Sequence, residues 1–238
     1  VGSNYARQVN TLIGTKGVGL TSGYLYPGAT YPYGMVQFTP SYFFIRSGFV
    51  INQLSGGGCE HMGNFPTFPV KGKLKMSPDN ILNYRINISE EKGHAGYYEA
   101  KVQEDIHAKL TVTERTGMAS YEYPADQQYG TVIIGGGISA TPIEQAAIVI
   151  TAPNKCEGYA EGGNFCGLRT PYKVYFVAEF DTDALESGTW KRDELKPNTT
   201  FAEGEYSGVY FTFDVNKKKN IQYKIGVSYV SVENAREN

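Results

Sequence analysis

Apolar and polar side chains alternate strictly, with a period of two, along much of this sequence, and nothing else in it constrains the fold as tightly. Ile106, Ala108, Leu110 and Val112 fall on one side of an extended chain, with His107, Lys109, Thr111 and Thr113 on the other. Ile221, Tyr223, Ile225, Val227 and Tyr229 repeat the pattern against Gln222, Lys224 and Ser228. Residues 172–181 set Tyr172, Val174, Phe176, Ala178 and Phe180 against a more mixed face, and 81–88 and 209–215 read similarly. Neighbours on a strand point to opposite faces, so each segment buries one face, as stacked antiparallel sheets require. Helical periodicity is nearly absent. The exception is the end, where Ser231 can cap a helix and Glu233 can face its dipole, which predicts a helix onset at about 231–238 with more protein downstream. Composition agrees: 19 Tyr and 28 Gly beside a single Trp favour strands joined by tight turns. The expectation is all-β, a large antiparallel β-sandwich forming one domain over 1–238, since no linker, repeat or low-complexity tract divides the chain.

Several functions are excluded early. With 22 basic and 24 acidic residues the net charge is −2, which gives no electrostatic footprint for nucleic acid. No apolar run approaches the roughly 18 residues that a membrane-spanning helix needs. His61, His94 and His107 lack the short spacings of metal sites. The neighbouring carboxylates Glu90-Glu91 and Glu104-Asp105 would point apart on extended chain, so neither pair can flank a sugar as acid and base. No Gly-x-Ser-x-Gly elbow occurs, and neither Gly14–Gly19 nor Gly135–Gly137 continues as a nucleotide-binding loop would. No complete catalytic constellation is present.

Two regions stand apart. The first 70 residues are rich in Gly, Pro and aromatics without alternation, as in YPGATYPYGMVQFTP and INQLSGGGCEHMGNFPTFP. Long irregular stretches in a compact domain tend to be functional. Further on, Cys156 and Cys166 flank EGYAEGGNF, which could turn back as a hairpin and bring them together. An exported protein would oxidise such a pair, leaving Cys59 over, whereas two reduced cysteines are the alternative.

Several segments, in order, resemble the N-terminal domain of glycoside hydrolase family 92. They are QVNTLIGT, YPGATYPYGMVQFTP, LSGGGC, GYYEAKVQEDIHAKLTVTERTGMASYEYP, KVYFVAEFD and VSYVSVENAREN. The resemblance implies a supersandwich of the galactose-mutarotase-like kind and an exported bacterial enzyme, periplasmic, surface-bound or secreted. It also implies a calcium-dependent, inverting exo-α-mannosidase acting on mannan or N-glycans, with catalytic carboxylates and calcium ligands in a following helical barrel. This chain would then be inactive alone, holding no calcium itself and lending one wall of the pocket. Its partners would be its own catalytic domain and α-mannoside glycans. The matching loops nominate Tyr26, Tyr33, Gly34, Ser55, Cys59 and His61 as pocket-facing: tyrosine rings stack on sugars, and glycines let amides approach hydroxyls. The same residues could equally be turns that only Gly and Pro can make. Many family members have a His-containing stretch just before Leu-Ser-Gly, where this chain reads Val50-Ile51-Asn52-Gln53. A free-standing carbohydrate-binding sandwich is the competing reading.

Overall fold

A computed structural model describes residues 5–15, 25–41, 48–59, 61–79 and 87–238. After a single 3-10 turn at Tyr5–Gln8, the chain runs through β1 (Ala29–Thr30), β2 (Gln37–Pro40), β3 (Phe49–Val50), β4 (Thr67–Lys71), β5 (Ile88–His94) and β6 (Tyr97–Val102). It continues through β7 (Ile106–Val112), β8 (Thr116–Glu122), β9 (Tyr129–Gly135), β10 (Ile143–Ala152), β11 (Lys155–Phe165) and β12 (Leu168–Phe180). It ends with β13 (Glu186–Lys191), β14 (Glu194–Pro197), β15 (Phe201–Glu203), β16 (Ser207–Asp214), β17 (Asn220–Ser228) and α1 (Val232–Glu237). One sheet has the order β1-β2-β3-β4-β9-β16-β13-β14 and the other β15-β10-β11-β12-β17-β8-β7-β6-β5. The named strands pair antiparallel throughout. This is the expected sandwich.

The alternating segments bury most of the faces that their pattern assigns; the exception is the last step of 221–229, where Ser228 is buried and Tyr229 exposed. Ile106, Ala108 and Leu110 of β7, Val174, Phe176, Ala178 and Phe180 of β12, and Ile221, Tyr223, Ile225 and Val227 of β17 all lie in the core. At its centre Phe180 meets Phe211, Phe213 and Tyr223 with ring centroids 4.9, 5.1 and 5.2 Å away, joining the two sheets. Each such ring contributes roughly 2–3 kcal/mol by leaving water. Residues 209–215 depart from the one-face expectation, because nearly all of β16 is buried. Phe211 and Phe213 face the core, while Thr212 bonds the Thr131 hydroxyl, which also reaches the Gly72 carbonyl. Chain following β4 thus covers the second face. Of 81–88, only Asn87 and Ile88 fall among the described residues.

The predicted helix onset forms. Ser231 is the N-cap of α1 and its hydroxyl accepts the Asn234 amide. Gly226 permits the docking, since a Cβ there would stand 2.3 Å from the Ala235 carbonyl oxygen on the helix.

The cysteine pairing is corrected. Cys59 bonds Cys166, and Cys156 is free and buried. Cys156 and Cys166 lie at opposite ends of β11, and about ten residues at ~3.3 Å each separate them far beyond the ~7 Å limit for a disulfide. The glycines between them serve close strand packing rather than a turn. A Cβ on Gly158 would lie 2.2 Å from the Ala147 carbonyl, and one on Gly163 2.0 Å from that of Thr170. The reversal comes one step later, at Cys166 and Gly167, both with positive φ.

Candidate pocket wall

Strand register gives the sandwich two distinct ends. Gly135 and Gly208 pair at one end of the first sheet, and Thr116 with Gly226 and Ile143 with Gly162 at the same end of the second. Here the irregular loops collect. The opposite, distal end is marked by the Lys71–Asp105 ion pair, 2.9 Å, which ties the sheets together.

At the rim the loops of 26–34 and 54–64 meet. The Ser55 hydroxyl accepts the Tyr26 amide at 3.2 Å and the Gln37 side-chain amide at 2.7 Å. Gln37 also donates its backbone N–H to Ile51 and bridges Asn52. Tyr31–Gly34 closes a tight turn, with the Gly34 amide on the Tyr31 carbonyl, and the next amide, Met35, bonds Glu114 in the β7–β8 turn. Tyr33 sits in that turn at φ 60°, a costly conformation for a large side chain, and is 104% exposed.

His61 closes the Gly-rich loop on itself. Its Nε2 accepts the Leu54 amide at 3.0 Å and its Nδ1 faces the Cys59 carbonyl at 2.8 Å, so Nδ1 carries the proton of a neutral ring. The ring is 2% exposed and meets Phe165 edge-on at 5.2 Å. Gly57 must be glycine here, because a Cβ would come within 2.9 Å of the imidazole. The Cys59–Cys166 bridge then staples the loop to the β11–β12 tip.

Behind the loop runs a buried polar frame. Asn52 donates to the Asn64 side-chain oxygen at 2.9 Å and accepts the Asn64 amide at 2.8 Å. Tyr172 donates to the same Asn64 oxygen at 2.7 Å, and the Tyr229 hydroxyl lies 3.4 Å from the Asn52 amide nitrogen. Burial pushes the Tyr172 phenol up to about 12, despite that hydrogen bond, and raises that of Tyr229. Next to the frame, against Gly63, the fully buried Gln53 amide has no partner among the described residues for either polar atom, which native interiors seldom tolerate. Around this rim Leu25, Tyr31, Leu54, Leu168, Tyr229 and Val230 expose apolar surface.

The model of the glycosyl hydrolase family 92 N-terminal domain matches residues 8–228. This chain belongs to that family. An uncharacterised secreted glycosidase from Arthroderma benhamiae is 28% identical, over 98% of this chain and 34% of its own length. A family 92 α-mannosidase from Bacteroides thetaiotaomicron shares the fold with a TM-score of 0.84 at 23% identity, over 99% of this chain and 35% of that one. A family 92 inverting mannosidase from the same species gives 0.82 at 24%, over 98% and 33%. The chain therefore spans about a third of the length of these relatives. No helix among the described residues is long and apolar enough to cross a membrane.

For a family 92 domain, the rim sorts the nominated residues into three kinds. Tyr33 and Ser55 are exposed, Gly34 and Cys59 half-buried, and Tyr26 and His61 buried with their rings inside the domain. Asn52 has its amide engaged within the frame rather than offered outward. The reading of the residues missed Asn64, Cys166, Phe165, Tyr172 and Tyr229, which hold the rim loops in place. Only Cys166 left a trace, as a cysteine needing a partner. Among the described residues no three of His, Cys, Asp and Glu gather where one ion could be held.

Proposed function

We propose that this chain is the non-catalytic N-terminal part of an exported exo-α-mannosidase and that its rim forms one wall of the mannoside pocket. The observation that carries the reading is the meeting of the 26–34 and 54–64 loops at one end of the sandwich, fixed from behind and bare in front. Family membership supplies the glycosidase class. The mannoside substrate comes from the named activity of structural relatives. The acid, the base and any calcium ion belong, on this reading, to a domain beyond the chain. The wall would position the sugar and exclude water: Tyr33 offers an unobstructed ring, and the Gly-rich loop offers backbone amides to hydroxyls. The exposed apolar rim favours a docked domain over a free-standing sugar-binding module, since such surface normally has cover.

The test compares this chain alone with the complete protein on aryl α-mannosides and α-mannobioses, with calcium and with a chelator. The complete protein should release mannose and the isolated chain none, binding mannose no better than ~1 mM. Turnover by the isolated chain would refute the reading. So would a complete protein that binds α-mannosides without ever cleaving them.

A further inference from the structure

The Gly-rich loop holds its shape with little help from its own backbone. Among the described residues no backbone–backbone hydrogen bond reaches 54–59. Gly56 and Gly58 stand at φ 76° and 72°, and successive glycines leave a chain more conformational freedom than other residues would. Packing restrains the outer part of the loop weakly. A Cβ on Gly58 would meet nothing within 4 Å, and one on Gly56 only Leu25, at 3.8 Å. What fixes 54–61 is therefore side chains: Ser55, which receives Tyr26 and Gln37, Cys59 in its bridge, and His61.

His61 meets two opposite needs at once. The Leu54 amide needs an acceptor and the Cys59 carbonyl a donor, and the ring supplies Nε2 to the first and Nδ1–H to the second. Lysine and arginine only donate and an ionised carboxylate only accepts, so the position calls for a neutral imidazole or a carboxamide. The β11–β12 tip sets the ring from outside. Phe165 meets it edge-on, and Cys166 holds Cys59, the residue whose carbonyl the ring bonds. At 2% exposure and with both nitrogens taken, the ring has nothing left to offer a sugar.

We infer that His61 is a positioning residue for glycoside cleavage: it holds the Gly-rich loop in the path that presents Ser55 and the loop amides to the sugar, without touching the sugar itself. Phe165 and Cys166 act in the same way, one step further back. The inference rests on the reading of this rim as a mannoside wall and takes it further, because loop shape, and not a ring contact of His61, then governs the reaction. It also changes the part that family resemblance gives His61, from a pocket-facing group to a support behind the pocket-facing loop.

The experiment compares His61→Leu, His61→Gln and Phe165→Ala in the complete protein, by kcat/KM on aryl α-mannosides and by amide exchange over 54–59. Leucine fills space but bonds neither Leu54 nor Cys59, so exchange in the loop should quicken and kcat/KM fall roughly tenfold to a hundredfold. Glutamine carries both an acceptor and a donor, and should bring both readouts most of the way back. Phe165→Ala keeps both bonds and removes only the backing of the ring, so its loss should be smaller, about two- to tenfold. Equal losses in His61→Gln and His61→Leu over an unchanged loop would show that the ring itself meets the sugar and overturn the inference. Full activity on a loosened loop overturns it from the other side. If His61→Leu does not fold, the decision passes to Phe165→Ala, where unchanged exchange and activity overturn it. A wild-type complete protein inert on α-mannosides would refute the wall reading instead, while exchange in His61→Leu would still decide whether the ring sets the loop.

Discussion

The centre of the sandwich and its rim are held by different physics. In the centre, Phe180, Phe211, Phe213 and Tyr223 come from strands whose inward faces are repetitive and apolar, and area removed from water does the holding. At the rim, single polar partners do it: Asn52 with Asn64, Tyr172 with Asn64, His61 with Leu54 and Cys59, Ser55 with Tyr26 and Gln37. An apolar core tolerates variation of shape, whereas a polar frame loses the whole of a bond when one member changes. The rim should therefore break locally and the centre globally.

The largest test of that contrast is Tyr223→Ala. The ring is fully buried and touches Phe38, Phe180 and Tyr121, so the cavity should cost ~3–5 kcal/mol in chemical denaturation. Amide exchange should quicken across both sheets. A loss below ~1 kcal/mol would mean that the centre is not the main source of stability.

Next comes the staple. The bridge closes 107 residues of sequence, so reduction, or Cys59→Ser with Cys166→Ser, should cost ~2–4 kcal/mol. The native-state effect should be confined to 54–61 and the β11–β12 tip, read as faster exchange and earlier proteolysis there. Cys156 should stay unreactive throughout, because burial raises its thiol pKa far above the usual range. Loosening spread evenly over the core strands would contradict a local role.

The same division explains what the sequence could and could not disclose. β7, β12 and β17 were legible because burial there depends only on local alternation. The Ser231 cap was legible because its bond spans three residues. The frame was not: Tyr172 and Asn64 are 108 residues apart and Asn52 and Tyr229 177, and no local pattern announces a hydrogen bond between distant polar residues. The glycines of β11 misled because a residue lacking Cβ serves a turn and a close strand approach equally well, and only the partner strand distinguishes them. Of the rim itself, the Gly-rich loops could be located from their irregularity, but not which side chains turn outward.

A smaller effect isolates the frame by pH. The Tyr172 phenol is raised from 10.0 to about 12, so the fold favours its protonated form. That stabilisation is complete below about pH 10 and is lost as pH rises towards 12, by roughly 2–3 kcal/mol for two units. Tyr172→Phe cannot ionise, so the stability difference between wild type and variant should shift by that amount over this window. An unchanged difference from about pH 9 to 12 would show that Tyr172 is not held in the frame. The buried Tyr121 and Tyr223, shifted upward by the same cause, contribute equally to both proteins and cancel.

The smallest expected change in stability is at Tyr33, where the comparison is sharpest. The side chain is fully exposed, so its loss removes almost no packing, and its backbone holds a φ of 60° that glycine adopts freely. Tyr33→Gly exchanges relief of that strain for a more flexible unfolded chain, two terms of ~1 kcal/mol that oppose each other. Thermal stability should therefore move by less than about 1 kcal/mol in either direction. If the rim is a sugar-facing wall, the complete protein carrying Tyr33→Gly should nevertheless lose kcat/KM on α-mannosides, while Tyr33→Phe, which keeps the ring, should retain most of it. An exposed, strained tyrosine kept for its ring separates the two readouts. If kcat/KM is untouched in Tyr33→Gly, the strain at this turn serves the chain's path alone, and the wall must be sought at Ser55 and the Gly-rich loop.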